Sequence, residues 1–464
     1  MLTADLIVIG AGPAGMAAAA EAGRAGLSVL VLDEQSQPGG QIYRDVERVV
    51  PLRGDLLGAD YAAGLPLAQG LAEQGVSHLN GAVSWAIEEG GRVMFTRAGR
   101  AEQAEGRRIL LATGALERPM PVPGWTLPGV MTVGAAQILL KQSGVVPERA
   151  VLAGSGPLIY LTAAQMVRAG VPPLALVETQ TRGDALRAAR HMGGALRGWR
   201  YLLKGLGLMR ELKRAGVQRF VGAEALAVMG DDRAEGLRFR RGGRDHEIAC
   251  ETVLLHHGVV PNTQAARSIG VAHRWDAVQQ CFSPVLDEWG RTGVEGVLIA
   301  GDGAGIGGAK AAEYAGRLAA LQVAEDLGAI TAHARDEVAR HLRGDLRRER
   351  AIRPFLDTAY PPYAGAITPE DATLVCRCEE VTAGDIRRFA RMGCLGPNQA
   401  KAFGRAGMGP CQGRYCGLAV SAILAQETGQ SMDETGYYRI RPPLKPVTLG
   451  ELAAMEEPVT DAAE

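Results

Sequence analysis

The feature that most constrains the fold is a glycine-rich turn near the N-terminus, placed between an apolar run and an Ala-rich segment. The turn reads Gly10-Ala-Gly12-Pro-Ala-Gly15; residues 5–9 before it are mostly apolar, and residues 14–26 after it have a helical pattern. A second apolar run, residues 28–33, ends in an acid, Asp33. This order predicts a strand, a helix and a parallel strand, with a nucleotide bound at the carboxyl ends of the strands.

Each part of this unit has a separate physical role. The first glycine permits a tight turn, the second lets the main chain approach a pyrophosphate, and the third lets the helix close on the strand. The helix N-terminus adds N–H donors and positive potential, and the acid accepts hydrogen bonds from a ribose 2′-hydroxyl. The predicted dinucleotide-binding residues here are Gly10, Gly12, Pro13, Ala14, Gly15, Asp33 and Glu34.

Three further segments make the predicted dinucleotide a flavin, FAD. Pro38-Gly-Gly-Gln41 follows the acid, Ala112-Thr-Gly114 closes a strand, and Gly301-Asp-Gly303 precedes a helix start. We expect Asp302 to bind the ribityl chain, and the following helix N-terminus to stabilise negative charge on a reduced flavin. The flavin-binding residues predicted from these segments are Gly40, Gln41, Thr113, Gly114, Gly301 and Asp302, and Val83 is a further candidate.

A second fingerprint lies between these flavin segments and predicts a second nucleotide domain. It reads Gly154-Ser-Gly156-Pro-Leu-Ile159, and Glu178 ends the next apolar run, so Gly154, Gly156 and Glu178 are candidate NAD(P) ligands. Ile159 stands where a third glycine is expected, and its branched side chain would hold the helix away from the strand. A working NAD(P) site and a purely structural domain both stay open.

Four cysteines near the C-terminus have the spacing of a metal site: C-x-C, thirty-two residues, then C-x4-C. Four thiolates suit a [2Fe–2S] cluster or a tetrahedral zinc ion. A flavin that needs an electron outlet favours the iron–sulfur cluster, and nearby glycines allow N–H groups to face the sulfurs. The predicted ligands are Cys376, Cys378, Cys411 and Cys416.

The other cysteines and a histidine pair have more ordinary interpretations. Cys250, Cys281 and Cys394 are isolated, and a structural role is favoured for each. No CxxC occurs in either nucleotide domain, which excludes the dithiol chemistry of disulfide reductases. His256-His257 lies at a strand-to-turn position, where packing is favoured over acid–base chemistry. No catalytic residue is identified.

These motifs together resemble a known family. The segment from Val375 to Cys416 resembles the [2Fe–2S] domain of bacterioferritin-associated ferredoxin. Five other segments resemble the FAD-binding alpha (A) subunits of multi-subunit amino-acid dehydrogenases and oxidases: residues 33–35, 38–44, 113–117, 123–129 and 437–446. That family includes opine oxidases, D-hydroxyproline and dye-linked proline dehydrogenases, and hydrogen cyanide synthase. The resemblance implies two partners: an FAD-containing beta subunit similar to glycine or sarcosine oxidase, and a small ferredoxin-like gamma subunit.

The implied architecture is α/β: a two-dinucleotide-binding flavoprotein fold with a small, mostly helical C-terminal [2Fe–2S] domain. We expect the following division: a discontinuous FAD-binding domain (1–147 and 266–330), an NAD(P)-binding-like domain (148–265), a linker (331–370), the cluster domain (371–426) and a tail (427–464). The tail is interpreted as extended over this chain or over a partner. Residues 181–215, Arg-rich with apolar residues at helical spacing, are either a solvated helical pair or a surface that faces a partner.

Charge and hydrophobicity limit the function classes. With 50 Lys+Arg residues against 51 Asp+Glu residues, the 464-residue chain has no global basic excess for nucleic-acid binding. A hydrophobic fraction of 47% excludes disorder, and no apolar stretch is long enough to predict an integral membrane segment. The first residues lack a secretory signal, so we expect a cytoplasmic location, with peripheral attachment to the inner membrane as an alternative.

Three functions follow from these observations. The first is an electron-transfer subunit of an amino-acid or imino-acid dehydrogenase, in which substrate is oxidised at the partner flavoprotein and electrons leave through this chain. The second is a self-sufficient NAD(P)H-dependent flavoprotein reductase with an iron–sulfur outlet. The third is a non-enzymatic scaffold stabilised by a nucleotide. The amino acid, the final acceptor and the subunit stoichiometry are not encoded in any motif of the sequence.

Overall fold

The computed structural model describes residues 1–88 and 90–455. Its first part is built around an Ala-rich helix that follows the first strand. The elements in chain order are β1 (Leu2–Ile9), α1 (Pro13–Arg24), β2 (Val29–Asp33), α2 (Val46–Leu57), α3 (Ala59–Ala62), α4 (Leu65–Gln69), β3 (Val76–Asn80), β4 (Val83–Ile87), β5 (Arg92–Arg97), β6 (Arg100–Leu111), β7 (Ala115–Glu117), β8 (Val130–Thr132) and α5 (Val133–Ser143).

The middle of the chain repeats the strand–helix–strand pattern. Its elements are β9 (Ala150–Gly154), α6 (Pro157–Arg168), β10 (Ala175–Glu178), α7 (Arg182–Ala188), α8 (Met192–Arg197), α9 (Trp199–Arg214), β11 (Gln218–Val221), β12 (Glu224–Met229), β13 (Gly236–Arg241), β14 (Arg244–Ala249), β15 (Thr252–His256), β16 (Val259–Pro261) and α10 (Gln264–Ser268). Short 3-10 turns occur at Gly70–Ala72, Ala189–His191 and Gly301–Ala304.

The last part returns to the first sheet and then becomes mainly helical. Its elements are β17 (His273–Asp276), β18 (Cys281–Pro284), β19 (Val297–Ile299), α11 (Ala309–Asp326), α12 (Ala332–Arg350), α13 (Arg353–Ala359), α14 (Ala364–Ile367), β20 (Leu374–Cys376), β21 (Val381–Thr382), α15 (Ala383–Arg391), α16 (Pro397–Gly404), α17 (Gly417–Thr428), α18 (Met432–Thr435) and α19 (Leu449–Ala453).

Two sheets with parallel cores organise these elements, which confirms the predicted α/β class with Rossmann-like sheets. The first has the order β3-β2-β1-β6-β5-β4, with β19 also on β6, and β1, β2, β3, β6 and β19 run parallel. The second, β11-β10-β9-β15-β8, is parallel throughout. The residues of β9 are fully buried, as expected where helices cover both faces of a parallel sheet.

Helices α1 and α11 pack together at very short range, which explains the Ala-rich composition of α1. A Cβ placed on Gly316 of α11 would lie 2.1 Å from the carbonyl oxygen of Ala14 in α1. Only small side chains allow two helices to approach this closely. The contact fixes the N-terminus of α1 against the part of the chain that follows β19.

Two of the predicted ranges contain elements that the prediction did not expect there, and the division into domains stays a prediction. Strand β8 falls in the range 1–147 but pairs with β15 in the second sheet. The range 331–370, expected to be a linker, contains helices α12, α13 and α14. Helix α12 forms because two of its apolar side chains, Ala339 and Leu342, are buried in a cluster with Trp289. The charged residues of this range therefore belong to a helix that is buried on one side.

Residues 436–448 of the tail, between the short helices α18 and α19, contain no helix or strand and pack against this chain. Tyr438, Ile440 and Leu444 are buried in the same apolar cluster as the C-terminal helices. The main-chain N–H of Leu444 donates to the carbonyl of Trp85 at 2.7 Å. Residues 456–464 of the predicted tail segment lie outside the described residues.

Candidate functional site

Four loops meet where parallel strands of the first sheet end. They follow β1 (residues 10–15), β2 (33–41), β6 (112–114) and β19 (300–303). The carboxyl ends of parallel strands share one edge of the sheet, so the four predicted flavin segments come together there. We call this arrangement the cradle.

Close main-chain approaches define the cradle, and they require glycine. A Cβ on Gly10 would lie 2.6 Å from the carbonyl oxygen of Ala112, and one on Gly15 would lie 1.9 Å from that of Gly10. Gly40 has a φ of +60° and a Cβ there would lie 2.9 Å from Cα of Gly12. Side chains at these positions would force the loops apart.

The N-terminus of α1 opens into the cradle. Gly12 is its N-cap and Pro13 its first residue, where a missing N–H costs nothing. Ala14 lies against the turn after β19, because a Cβ on Gly301 would approach the Cβ of Ala14 to 2.8 Å. The unpaired N–H groups and positive end of the helix dipole suit a pyrophosphate. The residues present therefore fit a dinucleotide.

The two acids after β2 have different surroundings. Asp33 is buried; one carboxylate oxygen accepts from the main-chain N–H of Gln35 at 2.7 Å and the other accepts from that of Ala11. Burial raises the pKa of Asp33, because it penalises the charged carboxylate. Glu34 is exposed and pairs with Lys445 of the tail at 2.8 Å. The tail thus contacts the acid next to the end of the cradle where a ribose is expected.

Strand β4 begins beside the same acid, which places Val83 at the rim of the cradle. The main-chain N–H of Ala82 donates to the carbonyl of Asp33 at 2.8 Å, and that of Gly81 donates to the carbonyl of Gln35. Val83 is half-buried directly after this contact. Its position agrees with a role as a wall of a nucleotide site, which stays a prediction.

The opposite end of the cradle is formed by the turns after β6 and β19. A Cβ on Gly303 would lie 3.4 Å from the carbonyl oxygen of Gly114 and 3.5 Å from Oγ1 of Thr113, so the two turns touch. Asp302 accepts from the main-chain N–H groups of Gly307 and Gly308, each at 2.9 Å. One oxygen of this carboxylate thus organises the turn before α11.

Two basic side chains that the sequence motifs did not indicate lie beside loops of the cradle. Lys141 of α5 is buried, and its Nζ donates to the carbonyls of Gln41 and Ile42, each at 3.0 Å. Burial, together with nearby Arg44, lowers the pKa of Lys141 to about 7. Burial also lowers the pKa of Arg350, which faces Asp302. No sequence motif singles out Lys141 among the six lysines, and only the fold brings it to residue 41.

The turn of the second fingerprint packs closely on the end of β15. A Cβ on Gly154 would lie 1.7 Å from the carbonyl oxygen of His256, and one on Gly156 would lie 2.9 Å from the His256 ring. Ile159 is buried in the apolar cluster under α6. The turn therefore packs on β15, and the side chain at the third position is accommodated inside the domain.

Glu178, the predicted ribose ligand of this second domain, is already paired. Its carboxylate is 1% exposed and accepts from Arg219 at 2.7 Å and from the hydroxyl of Tyr160 at 2.5 Å. Gln180 also donates to it. This closed network gives a structural role to the acid at the end of β10.

The histidine pair and two isolated cysteines are also built into the protein interior. His256 is bonded through Nδ1 to Glu117 at 2.6 Å, and His257 through Nε2 to the carbonyl of Pro119 at 2.7 Å. Burial lowers the pKa of His257 well below its ordinary value. Burial raises the pKa values of Cys250 and Cys281 to about 11, which keeps both as inert thiols.

The four predicted metal ligands lie near one another. Cys376 lies near Cys416 and Cys378 lies near Cys411, and Cys416 is also close to Cys411. The Cys416 thiol and the main-chain N–H of Gly407 face the sulfur of Cys376 and lower its pKa to about 6.

Glycine lets the loop that carries Cys411 come close to Cys378. A Cβ on Gly409 would lie 2.2 Å from Cβ of Cys378. Among residues 1–88 and 90–455, no group of three or more His, Cys, Asp or Glu side chains is arranged to hold a metal ion. Cys394 is buried among apolar residues of the same cluster as Cys376 and Cys416.

A short segment connects the cradle with the four cysteines. Oγ1 of Thr113 donates to the carbonyl of Asn262 at 3.1 Å, and the N–H of Asn262 donates to the carbonyl of Gly114 at 2.9 Å. Two residues further, Gln264 donates through Nε2 to the carbonyl of Gln412, the neighbour of Cys411, at 3.4 Å. We call residues 262–264 the connecting segment.

The two Rossmann-like sheets and the glycine cradle define the class: an FAD-dependent oxidoreductase fold with a helical C-terminal extension. The family model for "Pyridine nucleotide-disulphide oxidoreductase" matches residues 4–328, and that for "Sarcosine oxidase A3 domain" matches residues 370–456. None of the described helices combines the length and apolarity needed to cross a bilayer.

Curated relatives align over nearly the whole chain. The A subunit of the opine oxidase from Agrobacterium tumefaciens (strain Ach5) is 45% identical, over 97% of this chain and 91% of that protein. The HcnB subunit of the hydrogen cyanide synthase from Pseudomonas aeruginosa is 33% identical, over 95% of this chain and 96% of that protein. The chain therefore belongs to the pyridine nucleotide-disulphide oxidoreductase family and, within it, to the family of opine oxidase A subunits; it is an oxidoreductase.

Solved structures share the fold. An L-proline dehydrogenase from P. horikoshii aligns with a TM-score of 0.70 at 20% identity, covering 97% of this chain and 79% of that one. A thioredoxin reductase from T. acidophilum aligns with a TM-score of 0.50 at 20% identity, covering 70% of this chain and 99% of that one. The first alignment extends over the C-terminal helices, whereas the second leaves about a third of this chain uncovered.

Proposed function

We propose that this chain is the FAD- and [2Fe–2S]-containing electron-transfer subunit of a heteromeric amino-acid or imino-acid dehydrogenase, of opine, proline or D-hydroxyproline type. Substrate is oxidised at a partner flavoprotein, and electrons leave through this chain to an acceptor. The partner is an FAD subunit similar to glycine or sarcosine oxidase, and the complex also includes a small ferredoxin-like subunit.

The connecting segment is the observation that carries this proposal. Its Asn262 is hydrogen-bonded to the turn after β6 in the cradle, and its Gln264 is hydrogen-bonded to Gln412 in the loop that carries Cys411. A chain with two redox sites joined by so short a segment is suited to carry electrons between them. When bound, a flavin and an iron–sulfur cluster together couple a two-electron oxidation to one-electron transfer.

The cradle supports the flavin. Gly12 and Gly40 let their two loops approach closely. The N-terminus of α1 supplies donors for a pyrophosphate, and the Asp33 carboxylate lies between the loops after β1 and β2, where a ribose is expected. Lys141 holds the carbonyls of residues 41 and 42 in place, and Asp302 holds the turn before α11. These residues would bind and orient the flavin.

The cysteine arrangement supports a [2Fe–2S] cluster more than zinc. Such a cluster takes four Cys thiolates, and Cys376, Cys378, Cys411 and Cys416 lie near one another. Zinc sites more often use C-x2-C pairs, which this spacing does not contain. The N–H of Gly407 faces a sulfur, which is the contact that tunes a cluster's reduction potential.

The names of the relatives support the reaction class. Subunits of opine oxidase, hydrogen cyanide synthase and sarcosine oxidase match this chain, and each of those names describes one component of a larger enzyme. Opines and sarcosine are amino-acid derivatives that contain a CH–NH group, whose C–N bond can be oxidised to an imine. We therefore assign this chain to the same chemistry as part of a multi-subunit complex.

The alternative, a self-sufficient NAD(P)H-dependent reductase, has less support. Glu178 is paired with Arg219, and Ile159 occupies the third position of the second fingerprint. We expect NADH to leave the flavin of the isolated chain oxidised. Rapid bleaching of flavin absorbance by NADH without a partner would favour the reductase.

A pair of cysteine variants tests the cluster. Cys411→Ala removes a proposed ligand and should abolish iron–sulfur absorbance while flavin absorbance stays. Cys394→Ala is the matched control, because this buried thiol lies in the same domain and should leave both spectra unchanged. A Cys411→Ala spectrum equal to that of the parent protein would refute the ligand assignment.

Co-purification tests the subunit role. The chain expressed with its neighbouring genes should be isolated with an oxidase-like flavoprotein and show dehydrogenase activity toward an opine, proline or D-hydroxyproline. A native chain that is isolated without such a companion, and that gains no activity when one is added, would contradict the role.

A further inference from the structure

The segment from residue 181 to residue 215 is strongly basic within a chain that is almost neutral. It contains nine Lys and Arg residues and two acids, an excess of seven positive charges, whereas the whole chain has a net charge of −1. Helices α7, α8 and α9 account for most of it. The positive charge is thus concentrated on one part of the second nucleotide domain.

The acids of this segment do not neutralise the excess. Asp184 pairs with Arg187 inside the segment, and Glu211 pairs with Arg168 of α6 at 2.7 Å. Lys204 pairs with Asp60. Among the described residues no ion pair joins an acid to the remaining basic side chains, which are Arg182, Arg190, Arg197, Arg200, Arg210, Lys213 and Arg214.

Large apolar side chains are exposed in the same segment. Trp199 is 52% exposed and Leu203 is 57% exposed, whereas the other four tryptophans of the chain are buried or half-buried. The exposed large apolar residues of the segment are Leu186, Met192, Leu196, Trp199, Tyr201, Leu203 and Leu206. We call these apolar residues and the seven unpaired basic residues the basic–apolar surface.

Helix α9 has two apolar faces, of which one is already used. Leu208 and Leu212 are buried in the apolar cluster of their own domain. At 100° per residue, Trp199, Leu203 and Leu206 lie on the opposite face of the helix. Arg210 continues that outer face, so packing within the chain explains only the inner one.

We propose that the basic–apolar surface binds the surface of a bilayer that contains anionic phospholipids. A helix with Trp and Leu on one face and flanking Lys and Arg is typical of interfacial binding, in which apolar side chains enter the headgroup region and basic ones pair with phosphates. Because Leu208 and Leu212 already fix α9 on its own domain, the helix needs no folding step before it presents these groups to a bilayer. The assignment is independent of the redox proposal, because none of these residues lies in the cradle or beside the cysteines.

The test uses the purified full chain, together with any subunit that co-purifies, and sedimentation with two kinds of vesicle. Vesicles of phosphatidylcholine with phosphatidylglycerol should bind the protein, and vesicles of phosphatidylcholine alone should not. Added salt should weaken binding, whereas inorganic phosphate at matched ionic strength should have no further effect. A blue shift of tryptophan emission on binding should be lost in Trp199→Phe.

A matched pair of double variants makes the result specific. Arg200→Gln with Arg210→Gln should lower the vesicle partition coefficient about 30-fold, from roughly fivefold for each basic side chain near an anionic surface. Arg238→Gln with Arg244→Gln, on the exposed hairpin β13–β14 of the same domain, removes the same charge and should change binding less than about twofold.

Three results would overturn the proposal. The first is equal binding to both kinds of vesicle, and the second is equal binding by the two double variants. The third is a fluorescence of Trp199 that a soluble quencher cannot reduce even without vesicles. That result would show that another protein of the complex covers the surface. Flavin content measured in the same samples keeps these outcomes separate from any failure of the redox proposal.

Discussion

Replacing Gly40 with alanine should weaken flavin binding without unfolding the chain. Gly40 has a φ of +60°, and a Cβ there would lie 2.9 Å from Cα of Gly12 across the cradle. To reach an ordinary carbon–carbon contact, the two loops must separate by about 0.6 Å. The left-handed backbone adds about 1–2 kcal/mol of strain for alanine, independently of the clash.

Gly26→Ala separates the two effects. Gly26 also has a positive φ, +84°, but a Cβ there meets no atom within 4 Å. The backbone strain should therefore cost both variants about 1–2 kcal/mol of unfolding free energy, and the clash should add to that loss in Gly40→Ala. Only Gly40→Ala should also lose FAD affinity, by at least about tenfold, which corresponds to about 1.4 kcal/mol.

The assay is the FAD content of the purified chains, followed by fluorescence titration of the flavin-free chains with FAD. Differential scanning fluorimetry measures the stability loss that both variants share. Equal FAD affinity in Gly40→Ala and Gly26→Ala would refute the reasoning, because the contact between the two glycine loops would then be irrelevant to the ligand.

Two further predictions concern buried charges. Arg219→Met leaves the carboxylate of Glu178 buried without its positively charged partner and should destabilise the chain by about 3–5 kcal/mol in denaturant unfolding. As a control, Arg240→Met breaks an exposed ion pair and should cost less than about 1 kcal/mol. Similar losses in the two variants would contradict a closed network around Glu178. Lys141 has a pKa of about 7 in the folded chain, below the ordinary value of 10.5, so the unfolded chain binds more protons between these values and stability should rise with pH across that window. Lys141→Met should remove about 2 kcal/mol of that rise between about pH 7 and about pH 9, and an unchanged slope in pH-dependent melting would show that the buried amine is not the cause.

Short-range sequence rules are sufficient to predict the first strand–helix–strand unit. The turn from Gly10 to Gly15, the helix after it and the acid at position 33 follow from short-range requirements, and the sequence contains each of them within one strand–helix–strand unit. The four flavin segments meet because parallel strands end at a common edge. The ligand roles of the individual residues stay predictions.

Long-range pairings cannot be obtained in this way. The pair of Glu34 with Lys445 joins residues 411 positions apart, and the burial of Lys141 depends on how α5 docks beside residue 41. Spacing selects four cysteines but does not say which sulfurs are neighbours. The charged range 331–370 has the pattern of a linker because only two buried side chains, Ala339 and Leu342, anchor α12.

The most direct test of the central claim is a reductive titration of the purified full chain, followed by absorbance and by low-temperature electron paramagnetic resonance. We predict one FAD and one [2Fe–2S] cluster per chain, a signal from the reduced cluster, and loss of that signal alone in Cys411→Ala. A chain that contains flavin but no reducible cluster, or a cluster signal that survives Cys411→Ala, would contradict this assignment.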